Sequence, residues 1–186
     1  MKVFFTASVS EKERYIDNYK TIIDHLHRHN HEVIYEHILN HTEESIRNLS
    51  REKRVEFLIK MENWIKSSNF VIAETSHPSV SVGYQIAIAL RFAKPVLVLY
   101  SEGDPPSLLL YHTYDRLHTE KYNKNNVSTL IKEFIHYIEG KHDTRFTFFL
   151  PEELNAYLED SAHKDKLTKS MYIRRLIEKD LQHKNS

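Results

Sequence analysis

The 186-residue chain contains no cysteine, which excludes a disulfide framework, thiolate catalysis and cysteine-ligated zinc and fits a reducing compartment. Glycine is nearly as scarce. With only Gly83, Gly103 and Gly140, no glycine-rich phosphate cradle can be assembled. An excess of one charge is missing too. Lys and Arg number 26 and so do Asp and Glu, so no global field argues for nucleic acid or an acidic membrane. No apolar run approaches the ~20 residues that span a bilayer. Val3-Phe4-Phe5 is too short for a signal-peptide core and lacks a cleavage pattern. A soluble, cytoplasmic chain without membrane contact is the expectation.

Histidine, by contrast, occurs thirteen times. His25 and His29 are spaced i, i+4, as are His37 and His41, a spacing that shares a helix face. Neither pair encloses a carboxylate in an H-E-x-x-H arrangement. The histidines read as solvated side chains, and neither a metal site nor a cofactor is expected.

Apolar spacing organises the first 140 residues into alternating strands and helices. Strands are predicted over 2–7, 31–35, 70–73 and 95–100, with a strand-like segment over 114–117. Helices are predicted over 12–29, 43–68 with a break at Asn48-Leu49-Ser50, 83–92 and 127–138. Such alternation implies an α/β fold, a flavodoxin-like parallel sheet with helices on both faces. Gly140 ends the last helix and a linker follows. The pattern then changes: 145–150 reads as a short strand, Pro151-Glu-Glu opens a helix bearing Leu154 and Leu158, and Thr168 is a plausible N-cap for a second helix. One strand and two helices in about 40 residues cannot bury a strand edge or a useful core, so this unit is expected to dimerise. Two domains are therefore drawn, 1–140 and 141–186.

Chemistry concentrates in Val71-Ile-Ala-Glu-Thr-Ser-His-Pro-Ser-Val-Ser-Val-Gly-Tyr-Gln85. An apolar strand stops at Glu74, a polar turn carries Pro78 and Ser79, and a helix follows. This is the loop at a strand's carboxyl end where open α/β sheets hold their ligands. The order of residues resembles the nucleoside 2-deoxyribosyltransferase superfamily, nearest its nucleotide N-hydrolase branch, over roughly residues 1–140. Phe4-Phe-Thr-Ala-Ser8 and Val33-Ile-Tyr-Glu-His37 add to the likeness. The resemblance implies that Ser8 and Ser79 bind a substrate 5′-phosphate and that Gly83 and Tyr84 line the pocket. Hydroxyls at strand-to-helix turns suit an anion, and serine also satisfies such turns unaided; both readings stand.

Three positions depart from the family pattern. The catalytic glutamate after Gly-Tyr is Gln85, whose neutral amide can neither attack an anomeric carbon nor stabilise an oxocarbenium ion as a carboxylate does. The aspartate three residues before the tryptophan falls on Met61, beside Glu62. The arginine two residues after the first phosphate-binding serine falls on Ser10, which removes a bidentate clamp. Glu74 remains, and could take over acid–base work.

In the C-terminal part, Phe146-Thr-Phe-Phe-Leu-Pro-Glu-Glu-Leu154 with Thr168-Lys-Ser170 resembles a ribbon-helix-helix module, whose paired strands enter the DNA major groove. The resemblance implies a homodimer or higher even-numbered oligomer that binds double-stranded DNA. Arg145 and Thr147 would face the bases and Lys169 and Ser170 the phosphates. Phe149 would also face outward, where it suits base reading poorly, and Glu152, Glu153, Glu159 and Asp160 offset the positive charge. Two functions stay open. One is a nucleoside- or nucleotide-binding regulator, catalytically degenerate, coupled to a DNA-binding dimer. The other is an active N-glycosidase or deoxyribosyltransferase using Glu74, with the tail serving only to oligomerise it.

Overall fold

The computed structural model describes residues 1–103, 116–140, 149–165 and 167–184. The chain divides into two compact units, Met1–Asp143 and Thr144–Ser186. In the first, β1 (Lys2–Ala7), α1 (Lys12–Arg28), β2 (Glu32–Ile34), α2 (Glu36–Leu39), α3 (Glu43–Arg47), α4 (Arg51–Ser67), β3 (Phe70–Glu74), α5 (Val80–Arg91), β4 (Val96–Tyr100), β5 (Leu117–Lys121) and α6 (Val127–Ile138) follow in order. The five strands are parallel and lie in the order β2-β1-β3-β4-β5. This is the flavodoxin-like doubly wound arrangement expected from the alternating pattern.

Alternation along the strands splits the core in two. Val3, Phe5 and Ala7 of β1, Phe70 and Ile72 of β3, and Leu97 and Leu99 of β4 pack against α1 and α6 through Tyr19, Ile22, Leu26, Ile131 and Phe134. Phe4, Val71, Ala73, Val96 and Val98 pack the other way, on Met61 and Ile65 of α4 and Val82, Ile86 and Ala89 of α5. Each buried Val, Leu, Ile, Phe or Met side chain contributes about 1.5–3 kcal/mol.

Several boundaries shift from the sequence reading for local reasons. The second strand shortens because Tyr35 turns the chain into the four-residue α2, its carbonyl accepting from the Ile38 amide at 2.9 Å. A helix that brief carries no readable period. The long stretch over 43–68 divides at 48–50: α3 opens on a capping box between Thr42 and Ser45, and Ser50 caps α4 by accepting from the Lys53 amide at 3.3 Å. α5 starts at Val80 rather than Gly83, because Ser79 takes the N-cap and accepts from the Val82 amide at 3.4 Å. The expected strand start at 114 lies outside the described residues; β5 is seen from Leu117.

In the second unit, α7 (Glu152–Lys164) and α8 (Lys169–Lys184) pack on each other, and Leu158 and Ala162 of α7 are buried. Thr168 accepts from the Met171 amide at 3.2 Å, the N-cap role expected of it. Most of the expected strand, 145–148, lies outside the described residues; Phe149 and Leu150 are not in a strand, and Phe149 is 96% exposed.

The reading of the histidines as solvated is corrected at three positions: His25, His37 and His118 are buried. His37 stacks on Phe4 with ring centroids 4.8 Å apart and faces Trp64 at 5.4 Å. Burial pushes its imidazole down to about 4. His25 is likewise pushed down to about 4, by burial first and then by His29, Lys132 and Arg28. Both groups fold neutral, so the stability they permit is present above about 6.5 and is lost as pH falls from there through about 4. The first unit should therefore lose Tm steeply over that window, and His37→Phe should flatten the loss by roughly 5 °C. Thermal unfolding followed by circular dichroism at stepped pH tests this, and an unchanged acid slope in the variant would reject the assignment.

Candidate functional site

Strand order reverses between β1 and β3, so the helices leaving their carboxyl ends diverge and open a crevice there. Pairing sets Ala7 level with Glu74, and Glu74 level with Leu99. This places Ser8, Glu74, the Thr75–Ser79 turn and Ser101 along one edge. The α5 N-terminus points its unpaired amides and partial positive charge at the same edge.

Ser8 is buried, and its carbonyl accepts from the Tyr19 hydroxyl at 3.1 Å, which pins the turn after β1. Glu11 in that turn has φ 56°, a left-handed conformation that is strained for a side-chain-bearing residue. Ser79 spends a lone pair on the Val82 amide, and its hydroxyl proton stays available to an anion. The two readings of that serine thus coexist in one side chain. Gly83 lies one turn inside α5, where an added Cβ would meet nothing within 4 Å, and Tyr84 is exposed. Cations near the turn are engaged elsewhere. The Lys12 ammonium donates to the carbonyls of Ile38, Leu39 and His41 at 3.4, 3.0 and 2.8 Å. Arg14 pairs with Glu102 at 2.8 Å, and Ser10 donates to Glu43 at 3.0 Å.

Glu74 ends β3 fully buried. Its Oε1 accepts from Tyr122 at 3.0 Å, from the Ser76 amide at 3.4 Å and from the Ser76 hydroxyl at close range. The Ser76 hydroxyl also accepts from the Ser101 amide at 2.8 Å, and Asn18 reaches the Ser101 hydroxyl at 3.2 Å. Oε2 of Glu74 has no partner. Burial pushes the carboxyl above its ordinary range, against the pull of the Ser76 and Tyr122 hydrogen bonds. Burial foremost, with Glu74 beside it, also raises Tyr122.

Gln85 lies on the other side of the sheet. Its Oε1 accepts a close hydrogen bond from the hydroxyl of Thr6, which is wholly buried and paired level with Ala73. Thr6 follows Phe4 on the α4–α5 face, whereas Glu74 follows Phe70 and Ile72 on the α1–α6 face. The sheet therefore separates Glu74 from Gln85. Met61 is buried in the α4–α5 core, and Glu62 beside it turns out to meet Arg91 at 3.4 Å. His37 sits on this same side, with both ring nitrogens buried and unpartnered.

Thr6, His37, Ser76, Ser101 and Tyr122 were not singled out as site residues. Spacing gives no signal for Tyr122, which joins Glu74 only because β5 and β3 are placed by the sheet. Thr6 was legible only as a polar residue inside an apolar strand. In the second unit, Lys169 meets Glu159 at 3.7 Å and Asn155 at 3.3 Å, and Ser170 is exposed. Arg145 and Thr147 lie outside the described residues.

No protein-family model matches the chain. It is 30% identical over 113 residues to a Syntrophotalea carbinolica protein provisionally named 2′-deoxynucleoside 5′-phosphate N-hydrolase 1, spanning 60% of this chain and 78% of that one. A Nematostella vectensis protein given the same provisional name is 36% identical over 103 residues, 53% of this chain and 67% of that one. The 5-hydroxymethyl-dUMP N-hydrolase of Branchiostoma floridae is 32% identical over 76 residues, 39% of this chain and 72% of that one. Among solved structures, the CMP N-glycosidase of Clostridium botulinum superposes with a TM-score of 0.50 at 17% identity, over 71% of this chain and 99% of that one, which is a likeness of fold.

The raised carboxyl of Glu74 makes a prediction whose sign is fixed. A carboxyl raised by folding contributes stability below its ordinary value of 4.5, and that stability is lost as pH rises through the folded value. Glu74→Gln keeps an acceptor for Tyr122 and Ser76 and removes the ionisation. Its Tm relative to wild type should climb by a few degrees between about 4.5 and neutral pH. A Tm difference that does not change with pH would show that Glu74 pays no burial penalty.

Proposed function

The chain belongs to the 2′-deoxynucleoside 5′-phosphate N-hydrolase family, and from that premise we propose that its α/β unit holds a nucleoside 5′-phosphate at the crevice without cleaving its glycosidic bond efficiently. The observation that carries this reading is Gln85: an amide tied to Thr6 stands where the family resemblance places the catalytic carboxylate. Ser8, Ser79 and the α5 N-terminus would take the phosphate, and the unpaired ring nitrogens of His37 would meet a polar group of the ligand. Gly83 and Tyr84 would border it. One feature argues against Glu74 as a substitute nucleophile: it lies across the sheet from Gln85.

Base release from nucleoside 5′-phosphates, followed by chromatography, tests this. Wild type should release base very slowly or not at all, and Gln85→Glu should raise the rate on the order of 10²-fold or more, since it returns the family nucleophile to its position. Met61→Asp would restore the second family carboxylate, but it puts a charge into the α4–α5 core and should cost about 3 kcal/mol of stability. Its effect on rate should therefore be read only in folded protein. Rapid release by wild type, abolished by Glu74→Ala and indifferent to position 85, would establish the active-glycosidase alternative.

For the second unit, a dimerising ribbon-helix-helix-like module that contacts double-stranded DNA is the reading. Self-association is supported by Leu154, Tyr157, Leu176, Ile177 and Leu181, which α7 and α8 leave exposed. DNA contact rests on the sequence resemblance alone, and the pairing of Lys169 with Glu159 and of Arg175 with Asp165 weighs against it. Removing residues after Gly140 should lower the number of chains per particle seen by light scattering. Lys169→Ala and Arg145→Ala should each weaken DNA binding and reduce its salt dependence. A full-length protein that gives no gel shift at low salt would leave the module as a dimeriser only, and an unchanged number of chains per particle after truncation would remove that role as well.

A further inference from the structure

Thr6 is a polar side chain buried inside an otherwise apolar strand, and its hydroxyl proton goes to Oε1 of Gln85. A glutamine side chain has one acceptor atom and one donor atom. The buried Thr6 hydroxyl could also accept from Nε2, but its own proton would then have no acceptor among the described residues, so Oε1 faces Thr6 and Nε2 becomes the atom offered outward. No described side chain engages Nε2, and Gln85 is 8% exposed, so the donor is left for a group from outside the chain.

We propose that Thr6 is a positioning residue that fixes Gln85 as a hydrogen-bond donor in the crevice, and that this donor selects an intact ribonucleoside 5′-phosphate over its 2′-deoxy counterpart. The inference rests on the nucleotide-binding reading above, in which position 85 lies beside the anomeric carbon. Two oxygens neighbour that carbon. The ring oxygen is a poor acceptor, because its lone pair is delocalised toward the anomeric carbon. The 2′-hydroxyl is a good one. A ribose therefore satisfies Nε2, whereas a 2′-deoxyribose leaves the donor facing a methylene. A donor near the ring oxygen also opposes the positive charge that glycosidic cleavage would build there. The same amide thus favours the ribose and disfavours its cleavage. This sets the chain apart from relatives whose names specify 2′-deoxynucleotides.

Isothermal titration of the full-length protein with matched pairs (AMP and dAMP, CMP and dCMP, GMP and dGMP, UMP and dUMP) tests the inference. Whichever base binds, the ribonucleotide should bind about 3- to 10-fold more tightly, the yield of one neutral hydrogen bond. Thr6→Val, nearly isosteric, should bring that ratio close to one, and Thr6→Ser should keep it. Gln85→Met removes the donor directly and should abolish the preference even if Thr6→Val fails to fold. Equal binding of the two sugars by wild type, or a ratio that survives Gln85→Met, overturns the inference while leaving nucleotide binding intact. No binding of any of the eight nucleotides rejects the nucleotide-binding reading and this inference with it.

Discussion

A parallel sheet covered on both sides leaves its central strands no neutral face, so each residue of β1 and β3 is committed to one helical layer or the other. Everything at the carboxyl edge follows from that commitment and from the register that sets Ala7 beside Glu74. A slip of one residue would exchange the two polar groups, Thr6 and Glu74, between layers and strand both. In place, each finds its hydrogen-bond partners on a different element: Thr6 on α5, Glu74 on the turn after β3 and on Tyr122 after β5.

The two polar sites are built to different standards. The Glu74 cluster ties together β3, β4, α1 and the segment after β5 through Ser76, Ser101, Asn18 and Tyr122. It leaves one carboxylate oxygen unmet, which makes it a costly piece of the core. The Thr6–Gln85 pair is small, neutral and nearly self-contained. A carboxylate at position 85 would have accepted from Thr6 and still presented a second acceptor. The amide presents a donor instead, so the exchange of one atom inverts the polarity that position 85 offers.

Much of the α/β unit was legible because its signals are local. Apolar runs such as Phe70–Ala73 and Val96–Tyr100 are strands bounded by turn residues, and α1 and α6 carry clean 3.6-residue periods. α4 was legible as helical and as turning Trp64 and Ile65 to the core at its end, whereas Val55, Leu58 and Ile59, equally apolar in its first half, are exposed. The site was half legible. Glu74, Ser79 and Gln85 sit in one contiguous stretch, so a single motif exposes them. Thr6, His37 and Tyr122 come from three other elements, and only the folded sheet brings Tyr122 to Glu74 on one face and Thr6 to Gln85 on the other. His37 also defeats compositional reasoning, because a chain with thirteen histidines invites the view that each is a surface residue.

The margins of the sheet carry a consequence of their own. β2 is three residues long and opens on the exposed Glu32, and β5 closes on Glu120 and Lys121. Short, charged borders of this kind are poor templates for recruiting another strand. Growth by lateral addition, the usual route from a stable sheet to a fibril, is therefore discouraged at both described borders.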